Sequence, residues 1–329
     1  MKNEKIYYLL LCVLMLAYAC ESPPSTEVEK TSESIVIPSF DADSAYRFVE
    51  NQVSFGPRVP NSQAHKQCGN YLVNELKRFC DSVIVQSFSV KAYDGTLLHA
   101  KNIIGIFEPQ QERRILLGAH WDSRPYADHD PNPANHRTPI DGANDGASGV
   151  GVLLEIARQL NLKKANIGVD IIFFDVEDYG APQDDDINYS GEFWCLGSQH
   201  WGKYPHTADY QARFGILFDM VGGKNAIFTR EGTSLFYAPD ILSKVWNIGQ
   251  QMGYDAYFKN METPPITDDH LYINRITNIP MIDIIEYNPS TRTGFNQHWH
   301  TLNDNLSNID KKTLEVVGKV TLAVIYNEK

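Results

Sequence analysis

The chain has 329 residues, 43% hydrophobic and 21% charged, an ordinary globular composition with length enough for one large domain or two small ones. A formal net charge of −12 and no stripe of Lys and Arg exclude nucleic acid as a partner, because phosphate binding needs clustered cations. Five cysteines are too few for a disulfide scaffold at this length.

The N-terminus reads MKNEKIYYLLLCVLMLAYAC: two lysines, an apolar run from Ile6 to Ala19, then Cys20 behind small residues. That run falls short of the about 20 apolar residues that span a bilayer, so residues 1–19 are expected to be a secretory signal peptide. The stretch Ala17-Tyr18-Ala19-Cys20 resembles a bacterial lipoprotein box, although Ala17 stands where leucine is usual. The resemblance implies acylation of Cys20 as the mature N-terminus. It also implies a place at the bacterial cell envelope, periplasmic side or cell surface, with the lipid anchor as the sole membrane contact. Residues 20–40 are rich in Glu, Ser, Thr and Pro and are expected to form a disordered tether. Residues 41–329 then make the folded domain.

Two helical patterns open it, Asp43 to Val53 and Ser62 to Phe79, with Asn61 and Ser62 as caps. Extended segments follow at Val83 to Val90 and Asn102 to Phe107. Then come four strongly apolar runs, RRILLGAH, VDIIFFD, FGILFD and IPMIDIIEY, which suit strands covered on both faces. Helical patterns lie at Gly146 to Leu160, Pro239 to Met252 and Leu314 to Tyr326. Strand alternates with helix, so the fold class is α/β: a single domain with a central mixed, mostly parallel sheet and helices on both faces. The polar loops Pro125 to Thr138 and Ala181 to Glu192 read as insertions near the site or on the surface. Cys68 and Cys80 bracket one helical pattern and would lie about 18 Å apart on it, beyond the roughly 4.4–6.8 Å that a disulfide tolerates. With Cys195 they read as buried thiols, with at most one pair involving Cys195.

In open α/β sheets, ligands sit at the carboxyl ends of the strands. Here those ends carry His120 and Asp122 (AHWDSR), then Asp145 (DGANDGASGVG) before a helix of small residues. Glu177 and Asp178 follow FFDV, and Asp219 follows LF; QHWHTLND supplies His298 and His300. His and carboxylates converging from separate strands are what zinc needs, about four N or O ligands with one position open for catalysis. A neighbouring carboxylate that is not a ligand can serve as general base. Glu177 and Asp178 are expected to divide these tasks by pointing to opposite sides of an extended strand end.

With these motifs in this order the chain resembles the di-zinc aminopeptidase superfamily, and within it the zinc-dependent glutaminyl cyclases, especially bacterial lipoprotein members. The likeness runs from FGPRVPNS through GAHWDS, GANDGASG, FFDVED, LFDMVGG and TDDH to WHTLNDN. It implies a zinc aminopeptidase-like fold in a monomer with one zinc per chain, held by Asp145, Asp178 and His300. Glu177 matches the general acid/base, and Asp219 and Asp268 match carboxylates of a hydrogen-bond network near the substrate. His120 and Asp219 match positions that hold a second metal in the peptidases. Trp299 matches a pocket tryptophan, Trp194 is the candidate for a second wall, and Trp121 could equally be packing.

The implied activity is that of a glutaminyl-peptide cyclotransferase, an acyltransferase of the aminoacyltransferase type, acting on peptides or proteins with N-terminal glutamine. The substrate's own α-amine attacks the γ-amide, so the nucleophile is already tethered and one zinc suffices to polarise the carbonyl. Glu177 takes the amine proton and returns one to the departing ammonia, with its pKa lifted by burial beside Asp178 and Asp219. ITDDH and Trp299 favour this over the alternative, a zinc aminopeptidase hydrolysing N-terminal residues. A binding module that lost catalysis would need a broken ligand set, and here every position is filled.

Two departures stand out. Asp178 replaces the glutamate of animal cyclases and most peptidases, and Ala119 and Val150 replace the disulfide that flanks the animal site. Among the remaining residues, Asp175 is expected to hold loop amides, and Asp122 and Ser123 to fix the surroundings of His120. His270 and His298 are expected beside the ligands. His65, His99, His129, His136, His200 and His206 read as surface or satisfied core groups, and Asp184 to Asp186 as a solvated turn.

Overall fold

A computed structural model describes residues 36–185 and 190–328. The expected signal peptide, Cys20 and the tether up to residue 35 lie outside the described residues, as does Asp186 of the acidic run. Two helices lead, α1 (Ala42–Val53) and α2 (Gln63–Phe79). Then follow β1 (Ser82–Lys91), β2 (Leu97–Phe107), β3 (Arg114–His120), α3 (Ala147–Leu162) and β4 (Gly168–Phe174). Next come α4 (Leu196–Lys203), β5 (Gly215–Asp219), β6 (Phe228–Glu231), α5 (Gly232–Tyr237) and α6 (Pro239–Gln251). The chain ends with β7 (Phe258–Thr263), α7 (Asp269–Thr277), β8 (Met281–Ile285) and α8 (Lys311–Asn327).

The main sheet has the order β1-β2-β4-β3-β5-β8. β1 and β2 pair antiparallel, as do β2 and β4, while β4, β3, β5 and β8 run parallel. The apolar runs explain the middle of it: β4, β5 and β8 are buried at every position, and β3 at all but Arg114. Strands covered on both faces need no polar alternation. Strand β1, at the edge, alternates instead. One face carries α1, α2, α3, α6 and α8 around Phe173, Phe218 and Val320. The other carries α4 and α7, with Trp201 and Ile273 packed on Phe174 and Leu217. Truncating such a side chain, as in Phe173→Ala, is expected to cost about 3–5 kcal/mol.

Because β3, β4 and β5 run parallel and in register, their carboxyl ends share one rim: His120 pairs with Phe174, and Gly118 with Leu217 two residues before Asp219. Strands β6 and β7 form a separate small parallel pair.

The structure corrects several details. Helix α1 is capped by Asp41, which accepts from the amides of Asp43 and Ser44, so the helix starts before the expected Asp43. Ser62 caps α2, while Asn61 adopts φ 70 and instead ties itself to Leu97 and His99. Phe40, assigned to the tether, is buried and packs on Gly318 of α8. Helices α4, α5 and α7 and the β6/β7 pair were not anticipated. All three described cysteines are free thiols, Cys68 and Cys195 buried and Cys80 partly so.

Candidate active site

Strand β4 stops at Phe174, and Asp175 turns the chain. Its carboxylate accepts from the amides of Lys101 and Val176 and lies 2.8 Å from His65 Nε2. Val176 is left-handed at φ 52, an unusual state for a β-branched residue. Glu177 and Asp178 therefore lie in a tight turn rather than on an extended strand, which corrects the expectation of opposite sides by pleat. Both their amides donate to the Asp122 carboxylate, at 3.1 and 3.2 Å, and this sends the two side chains to different neighbours. Glu177 reaches Cys195 Sγ at 3.2 Å and Asp178 reaches His300 Nε2 at 3.4 Å.

Asp145 immediately precedes α3. The Asp304 carboxylate holds it from behind, accepting from the amides of Asn144 and Asp145 at 2.7 and 3.1 Å. The next residue must be glycine, since a Cβ at Gly146 would sit 2.3 Å from the His120 ring. Asp219 ends β5, and His300 sits in the loop after β8 at φ 54. Left-handed backbone at Val176, Cys195, Met220 and His300 concentrates conformational strain around one point.

Two clusters share Asp145. In the first, ligand atoms of Asp145, Asp178 and His300 all lie within 4.8 Å of one another, with His300 Nε2 3.5 Å from Asp145 Oδ2 and 3.4 Å from Asp178 Oδ1. In the second, His120 Nε2 touches Asp145 Oδ1 at 3.0 Å and Asp219 Oδ1 at 3.2 Å. The sequence-predicted ligands, far apart along the chain, thus meet. The first cluster fits a divalent cation: its three side chains are at most 5% exposed, two are carboxylates, and Asp178 Oδ2 has no hydrogen-bond partner among the described residues. Burying such charge without a counter-ion is costly. His300 Nδ1 stands 3.4 Å from Asp128, itself gripped by Arg124 at 2.6 and 2.8 Å, the outer carboxylate that orients a ligating histidine.

The protein's own charges divide the acids. Burial alone would raise Asp145, but the His120 hydrogen bond and the charges of His120, His300 and Arg124 hold it below the usual range. Burial raises Asp178 against the opposing charge of His300. Burial and the charge of Asp145 push Asp219 up to about 8. Glu177 is pushed well above the carboxylate range, first by burial, with Asp178, Asp268 and Asp269 reinforcing it and His120 opposing. For His120, hydrogen bonds with Asp122, Asp145 and Asp219 overcome burial and raise it well above its ordinary value.

Asp145, Glu177, Asp178, Asp219, Asp268, Trp194, Trp299 and His300 all line one cavity of about 200 Å³, with Ile266, Ile285 and Phe295. The Trp299 ring stacks on His300 at 3.7 Å and Trp194 lies parallel to that ring at 6.4 Å. Trp194 in turn presses on Gly180, where a Cβ would come within 2.1 Å. Asp268 caps α7 through the amide of Asp269, and its carboxylate converges with Glu177 and Cys195.

Some expected neighbours are placed elsewhere. Trp121 is fully buried, stacked on His65, and is packing. His298 does not reach the ligands; its ring meets Gln297, which corrects the expectation of a place beside them. His270 lies a layer below, between Glu231 and Asp283. Asp184 stands in an exposed turn as expected, and it and the half-buried Asp185 also pair with the exposed Arg137. Arg124, Asp128 and Asp304 escaped sequence reading, and so did His129, whose ring packs on Trp299 at 4.3 Å. Only the Arg of WDSR, the DHD of the first polar loop and the Asp of TLND could have pointed to them.

Fold and site together define an α/β protein that gathers candidate metal-binding groups at the carboxyl rim of a mixed sheet. A model of Peptidase family M28 matches residues 102–325, and the chain belongs to that family. A Zn-dependent exopeptidase from Parabacteroides distasonis superimposes with a TM-score of 0.88 at 56% identity, covering 89% of this chain and 100% of that one. A Bacteroides thetaiotaomicron glutaminyl cyclase bound to N-acetylhistamine gives a TM-score of 0.88 at 55% identity over the same shares. A glutaminyl-peptide cyclotransferase of Gloydius blomhoffii is 26% identical over 67% of this chain; the chain spans 63% of that relative's length.

Proposed function

We propose that the protein cyclises the N-terminal glutamine of peptides or proteins to pyroglutamate and releases ammonia. The observation that carries this reading is the small aromatic-walled cavity in which Glu177 and Asp268 converge beside Asp145, Asp178 and His300. The likeness to the Bacteroides thetaiotaomicron glutaminyl cyclase supports it.

Asp145, Asp178 and His300 would hold one zinc per chain, which would supply Lewis acidity at the γ-carbonyl oxygen. Trp194 and Trp299 clamp the flat γ-amide, and the cavity turns water away from the reacting carbon. The α-amine nitrogen bonds to that carbon while Glu177 takes its proton. Glu177 then gives a proton to the departing nitrogen as the carbon–nitrogen bond of the amide breaks, leaving ammonia. A carboxyl group lifted toward neutrality can do both. Asp178, Asp268 and Asp269 surround Glu177 with negative charge and so keep its proton affinity high.

A second reading has a specific observation behind it: Asp145 presents Oδ1 to His120 and Oδ2 to His300, so two groups that could each hold a cation share one carboxylate, as a paired-metal aminopeptidase would need. Ammonia released from a glutaminyl peptide, with pyroglutamyl peptide as product, supports the cyclase. A free amino acid released from a leucyl peptide, without ammonia from the glutaminyl one, would assign the peptidase. The envelope location and lipid anchor at Cys20 complete the proposal, and a Cys20→Ala chain should leave the membrane fraction.

A further inference from the structure

The cavity continues outward. A groove of about 440 Å³ shares Trp194, Phe295, Trp299 and His300 with it and opens toward solvent. A peptide whose first residue fills the cavity leaves along this groove.

Most charges along the groove and its outer end are paired with an opposite charge among the described residues; Asp130, which meets neutral donors, and Arg292 are not. Arg124 grips Asp128, Arg137 and His136 face Asp184, and Asp130 accepts from the amides of Asn132 and Leu302 and from Asn135. Arg292 is exposed and has no carboxylate partner among the described residues. Among the described residues its hydrogen-bond partner is His129 Nδ1, 3.0 Å from Nη2. An imidazole carries no negative charge in either protonation state, so this contact leaves the guanidinium charge uncompensated.

The loop that presents Arg292 is well built. The Asn288 amide donates to the Gly294 carbonyl at 2.6 Å, and the Thr291 hydroxyl bridges the carbonyls of Asn288 and Phe295. Gly294 closes the turn at φ 85. His129 packs on Trp299 at 4.3 Å, so the guanidinium stands one side chain beyond the cavity wall.

Resting on the cyclase reading, we propose that Arg292 selects peptides whose residue after the terminal glutamine carries a carboxylate, either in its side chain or as the C-terminus. An exposed ion pair of this kind lowers KM roughly two- to fivefold, with little change in kcat, and salt weakens it.

The test measures ammonia release from Gln-Asp-Ala-amide, Gln-Ala-Ala-amide, Gln-Ala and Gln-Ala-amide, with the wild type and with Arg292→Gln and Arg292→Glu. The expected result is a lower KM for each carboxylate-bearing peptide than for its neutral partner. That gap should shrink in 0.5 M salt, close in Arg292→Gln and invert in Arg292→Glu. Advantage confined to one pair identifies which carboxylate is read. Equal KM values in the wild type, or a gap that survives both substitutions, overturn the proposal while leaving the cyclase intact. No ammonia from any of the four would end the cyclase reading and this one with it.

Discussion

The two clusters that share Asp145 use the same kinds of side chain and pack them differently. Around His120 the Nε2 edge is closely held: it meets Asp145 and Asp219 at 3.0 and 3.2 Å and Gly146 closes against the ring, while Nδ1 has no hydrogen-bond partner among the described residues. Around His300 the groups stand 3.4 to 3.5 Å apart, one oxygen of Asp178 has no partner among the described residues, and the cluster faces the cavity. Carboxylates that a buried histidinium already neutralises gain little from an added cation. A buried set held apart gains much. On the proposed reading, this difference gives a zinc its place in the open cluster and leaves a positioning task to the closed one.

Four substitutions break or sharpen that comparison. The largest effect belongs to Glu177, which lies between the clusters at 3.9 Å from His120 Nδ1. Glu177→Gln should lower kcat by about 10² to 10⁴ with zinc content intact. Near wild-type turnover would remove it from proton transfer. Asp128→Asn acts behind His300 and should weaken zinc binding about 10- to 100-fold in a chelator competition. Asp122→Asn, its counterpart behind His120, should change zinc affinity much less, and equal losses would erase the distinction. Trp299→Ala removes a wall of the open cluster and should raise KM for a glutaminyl peptide about tenfold.

The smallest functional effect is a change of stability outside both clusters. Burial lifts Glu286 to about 7 against hydrogen bonds from Asn296 and Asn144. Its folded pKa lies above its unfolded value, so its contribution is fully present below about pH 4.5 and lost as pH rises through 7. The rise from 4.5 to about 7 bounds that loss at about 3 kcal/mol. Urea titrations of Glu286→Gln should show a shallower decline of stability from pH 4.5 to 7 than wild type.

The rim of the sheet was legible because physics marks it in the chain. Apolar runs ending in His120, Glu177-Asp178 and Asp219 need cover on both faces, and polar residues just past the end of a buried strand stand at a site. The turn at Val176 was not legible, because nothing local favours φ 52 in a β-branched residue; the Asp122 and Asp175 carboxylates impose it through backbone amides. Arg124 and Asp128 stand four residues apart at the start of a polar loop, where nothing local marks them. Their role arises from contact with Asp178 and His300, 54 and 172 residues further on. Helices α4 and α7 escaped for a related reason. Each is short, and its apolar stripe is defined only by the sheet face it covers.

The central claim is that one zinc sits where Asp145, Asp178 and His300 meet. Diffraction from crystals of the zinc-loaded protein, recorded on both sides of the zinc absorption edge, tests it most directly. The account predicts a single anomalous peak within about 2.0–2.2 Å of a carboxylate oxygen of Asp145 and of Asp178 and of His300 Nε2. A peak between His120 and Asp219, alone or as strong as the first, would contradict it.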